Sequence, residues 1–304
     1  MPQPEHWRGI FAAALTPMDE QGRVRPQDLP RLLAHLDAQG AHGALLLGTT
    51  GEGPSCSPEE RLALMRAAVA ARPRSDFRLL VGTGTPALEE TIALTRAAFD
   101  LGFDGVLVLP PYYFRRAPEA GLEAWFRAVL QRAVPADGAL LAYHIPQVSG
   151  VGLSLDLLAR LKDAFPRRFV GLKDSSGDPA FAAALGRRFG PALRVFTGND
   201  RLLAYAWGTG AAGAITAAAN IAAGLLRQAW DALEAGGDAA RAQARLHAVR
   251  ETLEGLGPFP AGLKAVLPPL YGLPRWGLKP PLLPPPPQAV AAAVPRLRTL
   301  LAGV

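Results

Sequence analysis

Eight times along this chain a short apolar run gives way to a longer segment with helical spacing. The runs begin near Ile10, Ala44, Arg78, Gly105, Ala139, Phe169, Arg194 and Ala212, at intervals of 18 to 34 residues. That is about the length of one strand–helix unit. Most of the runs are continuous rather than alternating, as expected for parallel strands buried on both faces. Between them, Leu29, Leu32, Leu33 and Leu36, then Leu62, Met65 and Val69, mark one apolar face of a helix. Ser57-Pro58-Glu59-Glu60 and Ser154-Leu155-Asp156 carry the residues that cap helix starts. Eight such units predict an α/β fold, a closed (β/α)8 TIM barrel. From about Ala222 the chain becomes helical and rich in Ala, Leu and Arg, which predicts a barrel domain over 1–224 and a C-terminal helical extension over 225–304. Lys279 to Pro287 holds six prolines and reads as a rigid extended connector before a last helix, Gln288 to Leu301.

Composition narrows the function classes. Apolar residues make up 49% and charged ones 19%, which excludes disorder for the bulk of the chain. The net charge of +6 comes from four lysines and a scatter of arginines, in singles and pairs without interleaved aromatics. A nucleic-acid groove wants a basic stripe with stacking platforms, so the excess fits an anionic small substrate better. Cys56 is the single cysteine and requires no oxidising compartment. Met1 to Gly9 lacks the basic start and apolar run of a leader, and the longest small-apolar stretch, Gly210 to Leu226, is too short for a bilayer. The expectation is a cytoplasmic protein with no membrane and no nucleic-acid partner. His6, His35, His42, His144 and His247 are scattered without metal-ligand spacing. Gly82-Thr83-Gly84-Thr85-Pro86-Ala87, with Asp104 further on, matches a dinucleotide fingerprint, but at the third strand rather than the first. An NAD(P)-binding enzyme is therefore a weak rival reading.

In a parallel barrel the chemistry gathers at the C-terminal ends of the strands. There the sequence places Gly48-Thr49-Thr50-Gly51-Glu52, Pro111-Tyr112-Tyr113, Tyr143-His144-Ile145-Pro146, Gly171-Leu172-Lys173-Asp174-Ser175-Ser176 and Gly198-Asn199-Asp200. Lys173 stands out in a chain that prefers arginine so strongly. A lysine in low-dielectric surroundings can shed its proton and attack a carbonyl to form an imine, which arginine cannot do. Position alone also fits a lysine whose stem packs at the rim with its head in water. Tyr112, Tyr113 and Tyr143 offer phenols for proton transfer or simply aromatic packing. Thr49 and Thr50 offer hydroxyls and backbone N–H groups that would hold a carboxylate, or form a plain turn.

Together these segments resemble the dihydrodipicolinate synthase / N-acetylneuraminate lyase family of Schiff-base enzymes, from the first strand to the C-terminal helices. The resemblance implies a (β/α)8 barrel with a helical extension, a cofactor-free reaction, and a homotetramer built as a dimer of dimers. It implies that Lys173 forms an imine with a 2-oxo acid such as pyruvate and that Tyr143 shuttles protons there. Thr49 and Thr50 match the carboxylate-binding pair, with Thr49 also relaying a proton. Tyr113 matches a tyrosine that reaches into the neighbouring subunit's site. Gly198 and Ile215 match pocket-lining positions, and Ser175 and Asp200 complete the candidate substrate-binding set. Three positions depart from the family. Synthases that take aspartate semialdehyde carry an arginine where this chain has Val148, which weakens the synthase reading by a charge-assisted hydrogen bond, about 1.5–3 kcal/mol. Asp200-Arg201 opposes sialic-acid specificity, and Arg201 is a candidate for a distal carboxylate or phosphate. His144 stands in place of the usual asparagine. The expected function is a class I lyase of a 2-oxo acid, by aldol cleavage, condensation or dehydration; the runner-up is the synthase.

Overall fold

The computed structural model describes residues 7–303; residues 1–6, which include His6 and most of the stretch read for a leader, lie outside the described residues. Eight parallel strands, β1 (Gly9–Ala13), β2 (Gly43–Leu46), β3 (Arg78–Gly82), β4 (Gly105–Val108), β5 (Leu140–His144), β6 (Phe169–Asp174), β7 (Arg194–Thr197) and β8 (Gly213–Thr216), close in sequence order into one barrel. Each begins within one residue of the position expected from the apolar runs. Closure comes from β8 pairing with β1, Gly9 opposite Gly213. A β-carbon at Gly213 would lie 1.9 Å from the carbonyl oxygen of Gly9, so glycine is what permits the two strands to meet.

The helices follow in turn: α1 (Leu29–Ala38), α2 (Pro58–Ala70), α3 (Leu88–Leu101), α4 (Glu119–Ala133), the short α5 (Pro146–Ser149), α6 (Leu155–Ala164), α7 (Pro179–Phe189), α8 (Leu203–Gly208) and α9 (Ala219–Glu234). The expected caps are present. Ser57 accepts from the Glu60 N–H while Glu60 accepts from the Ser57 N–H, a capping box that opens α2, and Ser154 accepts from the Leu157 N–H to open α6. Each such cap is worth about 1 kcal/mol. The barrel interior is filled by Phe11, Leu45, Leu80, Leu141 and Phe196, with Trp7 closing the lower end. The larger outer core lies between strands and helices.

Beyond the barrel come α10 (Ala240–Glu254), α11 (Phe259–Tyr271) and α12 (Pro287–Leu301). The division expected after residue 224 falls inside α9, which packs along β1 and completes the barrel's helical ring. The proline-rich connector is extended, as its composition requires, but it is more than a spacer. Trp276 Nε1 donates to Asp28 at 3.1 Å, the Gly277 N–H donates to the Met18 carbonyl, and Lys279 Nζ reaches Glu60 at 2.7 Å. The connector and the residues leading into it are thus tied to the loop that follows β1 and to the first turn of α2, at the strand-end face. Among the described residues no helix is long and apolar enough to cross a membrane.

Candidate active site

The register between β5 and β6 sets Tyr143 directly beside Lys173. Both side chains are nearly buried, at 5% and 4% exposure. Lys173 Nζ lies 4.3 Å from the centre of the Tyr143 ring. The Tyr143 hydroxyl stands 3.4 Å from Thr49 Oγ1. Burial works to raise the Tyr143 hydroxyl, but the Lys173 charge and hydrogen bonds with Thr49, Ser175 and Lys173 outweigh it. The group is held below the ordinary phenol value. A phenol so placed gives up its proton more readily than one in water, which brings it nearer to the range useful for proton transfer. The alternative reading of Lys173, a solvated rim lysine, is ruled out by its burial.

The turn after β2 brings Thr49 and Thr50 to the same place. It is a constrained turn: Leu47 and Glu52 both adopt left-handed backbone, with φ of 55° and 53°. Such conformations cost free energy and persist where surroundings enforce them. Glu52 supplies part of that enforcement. Its side chain is buried, accepts from Lys264 Nζ on α11 at 2.5 Å, and accepts from the Lys279 N–H of the connector at 3.1 Å. Thr50 is buried, whereas Thr49 keeps an exposed face.

These residues open onto a cavity of about 540 Å³. Lys173, Tyr143, Thr49, Thr50, Ser175, Gly198 and Ile215 all line it. Gly198 is small for a reason: a β-carbon there would lie 1.8 Å from Ser175 Oγ and displace that hydroxyl. Three of the candidate residues lie elsewhere. Asp200 is fully buried, with Oδ1 bonded to Arg250 at 3.1 Å, and it does not line the cavity. Tyr113 is 75% exposed beside Phe114 on the outer surface. Arg201, the candidate for a distal anion, is turned away and held by both oxygens of Glu254. His144 has a structural account. Its ring stacks on Phe181 at 4.4 Å, and Nδ1 accepts the Leu153 N–H at 3.1 Å, so the proton sits on Nε2. Burial holds it below the ordinary imidazole value, against the pull of Asp174 and Asp178.

The dinucleotide fingerprint does not form a nucleotide loop. A β-carbon at Gly82 would meet the Leu47 carbonyl at 2.5 Å, and one at Gly84 the Leu109 backbone at 2.4 Å. These glycines serve packing between neighbouring strand ends. Asp104, just before β4, is at the other end of the barrel, bound by Arg72, Arg78 and the Leu79 N–H. The NAD(P) reading is corrected accordingly. Cys56 is buried and its thiol is pushed up to about 11 by burial, so it is no rival nucleophile.

Sequence reasoning missed the far wall of the cavity, formed by Arg250, Phe259, Pro281 and Leu282 of the extension. Arg250 and Glu254 read locally as an ordinary i,i+4 surface pair. Nothing within α10 tells that a cavity lies beside it.

A closed barrel carrying a buried amine beside a phenol at its strand ends defines a (β/α)8-barrel enzyme. A sequence profile of the dihydrodipicolinate synthetase family matches residues 6–293. An uncharacterised DapA-like lyase of Chloroflexus aurantiacus is 45% identical over 297 residues, 97% of this chain and 98% of that protein. A 4-hydroxy-tetrahydrodipicolinate synthase of Synechococcus elongatus is 35% identical over 247 residues, 81% of this chain and 80% of that protein. Among solved structures, a prophage protein of the dihydrodipicolinic acid synthase family from E. coli, in complex with pyruvate, superposes with a TM-score of 0.90. It is 27% identical and covers 96% of this chain and 98% of that one. The chain belongs to the dihydrodipicolinate synthetase family, and it is a lyase of that family.

Proposed function

We propose that this protein cleaves or forms a bond next to the carbonyl of a 2-oxo acid, through an imine on Lys173. The observation that carries the reading is the buried juxtaposition of Lys173 Nζ, the Tyr143 ring and Thr49 Oγ1 in one cavity. The acid's carboxylate is received by the hydroxyls and N–H groups of the Thr49–Thr50 turn. The amine adds to the C2 carbonyl, and the resulting carbinolamine loses water as Tyr143 supplies the proton. In aldol cleavage, Tyr143 takes the proton of the C4 hydroxyl, the C3–C4 bond breaks, and its electron pair moves into the protonated imine. The aldehyde leaves, and the enamine is then protonated at C3 and hydrolysed to release pyruvate. Condensation is the reverse. Loss of a β-hydroxyl uses the same electron sink.

Sodium borohydride added with pyruvate tests this. Intact mass should rise by the reduced pyruvyl adduct, and peptide mapping should place it on Lys173. No mass gain overturns the reading. A panel of 2-oxo acids and aldehydes then separates aldolase, dehydratase and synthase. The synthase is the second reading, favoured by the 35% identity to the cyanobacterial synthase. Against it stands Val148, 57% exposed at the cavity edge, where such synthases carry an arginine.

The assembly belongs to the same proposal. Tyr113 and Phe114 are 75% and 74% exposed on one loop, an uncommon setting for two aromatic rings in a monomer. In a symmetric dimer Tyr113 would enter the partner's cavity, above the exposed face of Thr49. Sedimentation paired with activity on dilution checks it: specific activity should fall as the dimer dissociates. A monomer with full activity would contradict a shared site.

A further inference from the structure

The cavity wall contributed by the C-terminal extension carries a cation held in a fixed pose. Arg250, on α10, lines the cavity with its side chain 17% exposed. Its Nε donates to Glu254 at 2.9 Å and its Nη1 to Asp200 at 3.1 Å. Its guanidinium carbon lies 4.4 Å from the centre of the Phe259 ring, which lines the same cavity. Two edges of the guanidinium are thus anchored and one face is backed by an aromatic surface. The remaining nitrogen, Nη2, has no protein acceptor among the described residues. Neutralising the buried Asp200 accounts for Nη1 alone. It does not require the guanidinium to be presented to a cavity, nor a second carboxylate to fix its orientation. Glu254 is itself matched by Arg201, so the four side chains balance in charge and an incoming anion meets no net negative field.

We infer that Arg250 is a specificity-determining residue, and that the aldehyde half of the substrate ends in an anion, carboxylate or phosphate, received by the free edge of its guanidinium. The inference rests on the lysine-imine reading and deepens it. It also gives this chain, from a different element, the cation that Val148 does not provide. Arginine suits the task because a planar guanidinium pairs with carboxylate or phosphate oxygens in a fixed geometry.

The test compares three aldehydes as partners of pyruvate: succinic semialdehyde, glyceraldehyde 3-phosphate and uncharged glyceraldehyde. In the wild-type enzyme kcat/KM should favour one of the two anionic partners over glyceraldehyde by about 10–100-fold, the range of one charge-assisted hydrogen bond. Whichever anion leads identifies the group as carboxylate or phosphate. In Arg250→Gln that preference ratio should collapse towards one, mainly through KM for the aldehyde. Arg250→Lys, which keeps a positive charge opposite Asp200, should recover part of it. Equal kcat/KM for charged and uncharged aldehydes in the wild type overturns the inference, and this arm needs no variant to fold. A preserved preference in folded Arg250→Gln overturns it as well. Borohydride trapping of pyruvate on the wild type keeps the two readings apart. Trapping without anion preference sinks only the role of Arg250, whereas failure to trap sinks the imine reading and this inference with it.

Discussion

Tyr143→Phe should lower turnover of the 2-oxo acid by about 10²–10⁴-fold while leaving the thermal midpoint nearly unchanged. The substitution removes one oxygen and keeps the ring. The face that lies 4.3 Å from Lys173 Nζ therefore remains, and so does the packing of a side chain that is 5% exposed. What disappears is the hydroxyl, 3.4 Å from Thr49, to which the proposed mechanism assigns proton transfer at the carbinolamine and the C4 oxygen. Thr49, Ser175 and Lys173 all line the cavity and can bond to water instead, so the loss leaves no sealed-off orphan. A split between kcat and KM is informative. If Tyr143 acts on proton transfer, kcat should carry most of the loss. Turnover near the wild-type value would remove Tyr143 from the mechanism.

Lys264→Met should cost about 3–5 kcal/mol of folding stability, read as a lowered denaturation midpoint. Lys264 and Glu52 are 2% and 1% exposed and meet at 2.5 Å. Burial pulls the Lys264 ammonium below the ordinary lysine value, while the Glu52 carboxylate pulls it back up. Removing the cation leaves a carboxylate in the interior with only the Lys279 N–H for company. Adding Glu52→Gln to the Lys264→Met background should restore part of the loss, because a neutral amide still accepts that N–H without a buried charge. A single variant within about 1 kcal/mol of wild type would show that the pair is not what fixes the turn. The consequence reaches function, because Glu52 is the left-handed residue that ends the Thr49–Thr50 turn. A slackened turn should raise the KM for pyruvate in whatever fraction of the variant stays folded.

Much of the architecture and one wall of the candidate site were legible without coordinates, and the reason is locality. A strand buried on both faces writes its own apolar run, and a helix writes its own period and caps. Hence all eight strands begin within one residue of expectation, and Ser57 and Ser154 cap as their spacing implied. The strand-end rule then places Lys173, Tyr143 and the Thr49–Thr50 turn at one face of the barrel, since that rule needs only the direction of each strand. Locality also explains the errors. A glycine-rich turn looks alike whether its glycines cradle a phosphate or clear a neighbouring backbone, and Gly82 and Gly84 do the second.

The chain by itself therefore determined the barrel and singled out, as candidates, the amine, the phenol and the turn that share one cavity. Only the tertiary structure decided what surrounds them. Glu52 meets Lys264 and Lys279, and Lys279 also meets Glu60, across more than two hundred residues of sequence. Arg250 and Phe259 reach the cavity from the appended helices, and Leu282 from the connector between them. An i,i+4 pair on a helix and a run of prolines carry no record of which distant surface they will cover. That choice is made by the packing of the extension onto the finished barrel, and no local periodicity encodes it.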